Sequence, residues 1–178
     1  EWGHNILEEG GEPCYCGKAG CVEKVIAGPS LELFYERQTG EKKKLKDIVQ
    51  AYKAGSDSNA TVTMERLFEY YGKAISTIIN VIDPDVIVIG GGVGNIDLLY
   101  SEGYERIKKY IFNSGEVLTP IVKPKLGDSA GVFGAAISAA VPNGFTALSL
   151  AWPLSRCGSY QVILVFLPST QRRWSQPT

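Results

Sequence analysis

Apolar side chains recur at three- and four-residue spacing over residues 63–82, where Leu67, Tyr70, Tyr71, Ala74, Ile75, Ile78 and Ile79 form one wide face. That period predicts the longest helix of the chain. Asp83-Pro84 ends it, because the residue before a proline is pushed out of the α region. Two shorter helices are predicted upstream, over 30–38 with Ser30 as cap and over 45–54 with Leu45, Ile48, Val49 and Tyr52 inward. Residues 55–59 break the second. The pattern then changes to a continuous β-branched run, Val86-Ile87-Val88-Ile89, of the kind that forms a strand buried under helices on both faces. It enters Gly90-Gly91-Gly92-Val93-Gly94, after which an amphipathic helix is predicted over 97–112. A second extended stretch over 120–124 leads to a small-residue helix over 131–140. Helix, strand, glycine turn, helix, strand, helix is an α/β plan.

Composition adds limits to that plan. The chain has 178 residues, 44% hydrophobic and 21% charged, which excludes a disordered tail, a collagen-like fibre and a coiled coil. Eighteen Lys and Arg against nineteen Asp and Glu leave no excess positive charge for a phosphate backbone, so no nucleic acid partner is expected. No run approaches the ~20 apolar residues of a membrane span, and no membrane partner is expected. Residue 1 is glutamate, and no basic segment followed by an apolar core opens the chain. The reading is a cytoplasmic protein whose chain begins in mid-sequence. Glu41-Lys42-Lys43-Lys44 reads as a solvated approach to a helix.

The segment 141–178 is written differently. From Ser129 onward there is no Asp or Glu, and after Ala140 the only charges are Arg156, Arg172 and Arg173. Its apolar run, residues 160–167, is strand-sized and, if unpaired, an aggregation site. This tail reads either as a non-native extension or as a strand that packs on a partner. The organisation is therefore 1–140, with a loop-rich opening over 1–28 and the glycine turn over 89–94, followed by an atypical tail.

Candidate chemistry concentrates at the start. His4, Cys14, Cys16 and Cys21 supply one imidazole and three thiols, a complete tetrahedral set for zinc, and a closed four-ligand set is structural. Gly17 and Gly20 let so short a loop converge. The alternatives are incidental core cysteines or a Cys14–Cys16 disulfide, which so tight a loop would strain. Cys157 lies far off in the tail. Glu1 and Glu23 flank the cluster; paired carboxylates accept polyol hydroxyls, but on spacing alone they also read as surface acids. The glycine turn lets a phosphate or sugar approach the backbone, and it is explained equally by a tight strand-to-helix connection. It is neither a Walker loop nor a G-x-G-x-x-G fingerprint. Asp128-Ser129 reads as a helix cap.

Four ordered motifs together resemble the ROK family of bacterial sugar kinases and sugar-responsive repressors. They are Glu1-Trp2-Gly3-His4; Pro13-Cys14-Tyr15-Cys16-Gly17-Lys18-x-Gly20-Cys21-x-Glu23; Asp83 through Gly92; and Gly127-Asp128-Ser129-x-Gly131-Val132-x-Gly134-Ala135-Ala136. The wording, with Asn95 to Tyr100, is most similar to the fructokinase or mannofructokinase branch. The resemblance implies the C-terminal lobe of an actin-like (ribonuclease H-like) sugar kinase with a zinc-binding loop and an incomplete sheet. It implies sugar contacts at Glu1, His4 and Glu23, and nucleotide contacts at Gly90, Gly91, Gly92 and Val93. It also implies structural zinc on His4, Cys14, Cys16 and Cys21. The implied substrates are a hexose (fructose, mannose or glucose) and Mg-ATP, and the implied assembly is a homodimer. The family's phosphate loop and catalytic aspartate are expected upstream of Glu1, so this chain by itself is expected to be inactive. The alternative the resemblance carries is a sugar-sensing repressor fragment.

Overall fold

A computed structural model describes residues 2–113, 115–123, 148–149 and 164–166. A 3-10 turn, Trp2–His4, opens a loop that runs to helix α1, Val22–Ile26; α2, Gly28–Thr39, follows at once. Then come α3, Leu45–Ala54, and the long α4, Ser58–Ile82. Strand β1, Ile87–Ile89, passes into the four-residue α5, Gly91–Gly94, a 3-10 turn Asp97–Tyr100 and α6, Glu102–Ile107. Strands β2, Ile121–Val122, β3, Leu148–Ser149, and β4, Leu164–Phe166, complete the described elements.

The predicted long helix is present and begins five residues earlier than its apolar face does. Asp57 explains the extra turn: its Oδ1 accepts the Asn59 and Ala60 amides at 2.9 and 3.1 Å, a polar cap that hydrophobic spacing does not register. Asp83, at φ 46°, closes the helix where Asp83-Pro84 was expected to. The inward face is fully buried at Met64, Leu67, Phe68 and Ile75, and α2, α3 and α6 pack on this helix. The core is thus a helical layer built around α4, continuous with Ile87 and Ile89 of β1.

Two expectations change. The helix predicted over 97–112 is instead a 3-10 turn and a short α-helix separated by Ser101, at φ −117° and ψ −77°. Gly103 sits so close to the Tyr71 ring that an added Cβ would lie 2.9 Å from it. Docking of this segment onto α4 therefore overrides its helical period. In addition, α1 arises within the stretch read as loop, and α2 begins at Gly28 with Pro29 in its first turn, two residues before the expected Ser30.

The sheet is small and mixed, in the order β2-β1-β4-β3. β1 pairs parallel with β2 (Ile87 opposite Ile121) and antiparallel with β4 (Ile87 opposite Phe166). Part of the apolar run in the tail is therefore a strand beside β1. Ile87 and Ile89 are buried, whereas Val88 is only partly so, short of the two-faced burial expected. The helix predicted over 131–140, the Asp128-Ser129 cap and Cys157 lie outside the described residues. No described helix is long and apolar enough to cross a membrane.

Asp57 also joins three elements. Its Oδ2 accepts Tyr35 Oη of α2 and Lys43 Nζ, each at 2.7 Å. The Lys43 ammonium, then the Tyr35 hydroxyl, hold the Asp57 carboxyl well below the usual aspartate range. A group whose folded pKa is depressed stabilises above its unfolded pKa, about 3.9, and loses that contribution as pH falls. Asp57→Asn is expected to lower the melting midpoint at pH 7, with the gap to wild type beginning to narrow as pH falls below about 4. Thermal melts of both proteins between pH 3 and pH 7 check this.

Candidate metal centre

The loop between the first 3-10 turn and α1 folds back on itself as a pair of antiparallel bridges, Ile6 opposite Cys21 and Pro13 opposite Ala19. The Leu7 and Glu8 amides both donate to Gly20 O, at 2.8 and 3.1 Å, and Val22 N donates to Asn5 O at 2.9 Å. The Cys14 amide donates to Lys18 O at 2.7 Å, closing the inner turn. Gly17 and Gly20 take φ values of 86° and 68°, a region side chains rarely adopt. A Cβ on Gly20 would lie 1.6 Å from the Glu8 carbonyl oxygen, so only glycine fits there.

This fold gathers the four residues singled out in the sequence. One ligand atom from each of His4, Cys14, Cys16 and Cys21 lies within 4.8 Å of every other. The Cys16 and Cys21 sulfurs are 3.6 Å apart, and His4 Nδ1 is 3.5 Å from Cys14 Sγ. A tetrahedral ion with sulfur at about 2.3 Å and nitrogen at about 2.0–2.1 Å has ligand-to-ligand edges of roughly 3.5–3.8 Å. These contacts fit that size, and the donor set suits zinc. All three cysteines are free thiols, so the Cys14–Cys16 disulfide is not formed. Cys14 and Cys21 are buried and Cys16 is exposed. Burial pushes the Cys14 thiol up to about 12 and raises Cys21, while the Lys18 backbone amide lowers Cys16.

Glu23, in the first turn of α1, stands against the cluster. Its Oε1 accepts from Cys14 Sγ at 3.2 Å and lies 3.8 Å from His4 Nδ1. Glu1 lies outside the described residues. Spacing did not single out Tyr15, yet its hydroxyl is 2.8 Å from His4 Nε2 and its ring meets the imidazole edge-on at 5.0 Å. The histidine edge turned away from the thiols, the one left for the sugar contact implied at His4, therefore meets Tyr15.

The glycine turn lies elsewhere in the fold. Gly91 has φ 77°, and a Cβ on Gly94 would lie 2.3 Å from Ile89 O. A cavity of about 330 Å3 opens beside this turn between α2, α3 and the residues after α5; its walls include Gly28, Leu45, Val49, Lys53, Val93 and Ile96. Of the four predicted nucleotide residues, Gly92 and Val93 line it. Ala27 and Gly28 line it too, directly after α1, whose other end is capped by Cys21. One helix of five residues, rising about 8 Å, therefore connects the thiol cluster to the cavity.

The ROK family model matches residues 1–141. The chain belongs to the ROK family. It is 41% identical over 123 residues to an N-acetyl-D-glucosamine kinase of Vibrio atlanticus (strain LGP32), covering 69% of this chain and 40% of that protein. Its fold matches the ROK hexokinase from Thermus thermophilus with a TM-score of 0.68 and 30% identity, over 78% of this chain and 46% of the other. It also matches a ROK family transcriptional regulator, a homologue of the E. coli MLC protein, with a TM-score of 0.58 and 26% identity, over 69% and 34%. This ROK chain spans about two fifths of the length of the curated relatives it matches.

Proposed function

We propose that residues 1–140 are the C-terminal lobe of an ATP-dependent hexose kinase and that the loop over residues 1–28 is a structural zinc site bordering the sugar. The observation that carries this reading is the convergence of His4, Cys14, Cys16 and Cys21 with Glu23 on the same cluster. Zinc supplies rigidity here, and the chain's own groups meet the substrate. A thiolate ligand donates no hydrogen bond, which leaves Glu23 Oε1 an acceptor in need of a donor, and a sugar hydroxyl is one. Glu1 joins it as the other hydroxyl contact that the resemblance implies, while His4, with Nδ1 beside the thiols and Nε2 against the Tyr15 hydroxyl, serves the metal and not the sugar. On the nucleotide side, the cavity beside Gly92 and Val93 offers an apolar slot, and α1 holds the two regions at a set spacing. Gly90 and Gly91 shape the turn. Phosphoryl transfer needs the acceptor hydroxyl oriented towards Mg-ATP, with the catalytic aspartate in the other lobe of the whole protein.

The acceptor reading shifts from the sequence expectation. Wording alone pointed to fructose, whereas curated relatives of about 40% identity are N-acetyl-D-glucosamine kinases, which favours an N-acetylhexosamine. A panel of N-acetylglucosamine, fructose, mannose and glucose, read by coupled ADP release from the whole protein, decides it. N-acetylglucosamine is expected to give the highest kcat/KM; a higher value for fructose returns the reading to the fructokinase branch. Zinc removal is expected to weaken sugar binding at least tenfold in calorimetry, and unchanged affinity in a folded, zinc-free protein would count against the metal's role. The likeness to a transcriptional regulator supports the repressor fragment as second reading. Sugar binding with no nucleotide binding would favour it. Homodimer assembly is proposed on the family resemblance alone, and a cytoplasmic setting on the sequence reading.

A further inference from the structure

Two carboxylates of the metal loop are each held by an arginine from a distant helix, and the two pairs differ in burial. Glu8 receives Arg66 of α4 through both oxygens, Nη1 to Oε1 at 2.7 Å and Nη2 to Oε2 at 2.6 Å. Tyr70 Oη donates to the same Oε1 at 2.8 Å. The Arg66 guanidinium also lies over the rings of Phe34 and Tyr70, 4.5 and 4.7 Å from their centroids. The Arg66 side chain is 16% exposed and that of Glu8 24%. Glu12 pairs with Arg37 of α2, but Arg37 is 56% exposed. A two-pronged, partly buried pair fixes orientation more strongly than an exposed one, which contributes little.

The loop closes at Gly20 from two sides, the Glu12 carbonyl accepting the Gly20 amide at 2.8 Å and the Glu8 backbone meeting Gly20 from the other; only the Glu8 side is held by a half-buried arginine. The Glu8 amide donates to Gly20 O, its carbonyl accepts Gly11 N at 3.1 Å, and its carbonyl oxygen occupies the space a Gly20 side chain would need. Gly20 precedes Cys21, and Cys21 is bridged to Ile6, two residues after His4. Holding Glu8 therefore holds both ends of the ligand set. We propose that Arg66, acting through Glu8, is a positioning residue for the metal centre: α4 presses the loop into its ligand-gathering conformation from 58 positions along the chain. The proposal rests on the reading of His4 and the three cysteines as a zinc site, and not on the sugar or nucleotide assignments.

Zinc release from the loaded full chain into excess chelator, followed well below every variant's melting midpoint, tests it. Arg66→Met is expected to release zinc about 10–100-fold faster than wild type, the usual scale for outer partners of metal ligands. Arg66→Lys is expected to fall between the two, because one ammonium cannot span both oxygens; it carries the test if Arg66→Met does not fold. Arg37→Met should stay within about fivefold of wild type, which separates positioning from general loss of a loop contact. Release at the wild-type rate from both Arg66 variants, or an equal effect from Arg37→Met, overturns the clamp while leaving the zinc site standing. A wild-type chain that takes up no zinc overturns both.

Discussion

Gly20→Ala is expected to abolish stoichiometric zinc binding while the helical layer stays folded. The left-handed φ of 68° alone costs a side chain about 1–2 kcal/mol, and the new Cβ would meet the Glu8 carbonyl oxygen at 1.6 Å. The obstacle is backbone, which cannot rotate aside, so the loop segments carrying Glu8 and Gly20 must separate. Separation moves Cys21 away from Ile6 and dismantles the ligand set. Metal analysis after dialysis should fall from one zinc per chain towards zero, and far-UV circular dichroism should keep its helical signal. Retention of a full equivalent of zinc would show that the loop has another way to close.

Phe68→Ala carries the largest expected stability effect and is expected to leave the proposed metal centre intact. Phe68 is completely buried on α4 and meets the Tyr52 ring edge-on at 5.8 Å. Removing a fully buried phenylalanine costs about 3–5 kcal/mol in lost transfer energy and the cavity left behind. That is a large share of the 5–15 kcal/mol typical of a native domain. Urea unfolding should show the midpoint falling sharply, and zinc content at low temperature should remain at one per chain. The contrast with Gly20→Ala separates the helical layer from the loop: one variant weakens the fold around an intact site, the other empties the site within an intact fold.

Much of the site was readable from residue types alone. Thiols and an imidazole at short spacing have few other uses, and the four named residues do converge. Glu23 was singled out by proximity and does stand against the cluster. Tyr15 was passed over although it lies between two candidate ligands, because an aromatic side chain carries no metal signal and its contact depends on which way the imidazole turns. Arg66 had no local signal at all. Its partner is 58 residues away, and a lone arginine on an amphipathic helix reads as solvated surface.

Periodicity and breaker residues, which are local, determined α3, the apolar face of α4, the stop at Asp83 and the strand that runs into the glycines. Residue chemistry at close spacing determined the candidate ligand set. Contacts between distant segments decided the rest. Docking of Gly103 against Tyr71 divided the segment after the glycine turn, pairing with β1 made part of the tail a strand, and the Glu8–Arg66 pair set the loop against α4. A helix period is encoded within a few turns of chain, but which side chains meet across 58 residues depends on how whole elements pack.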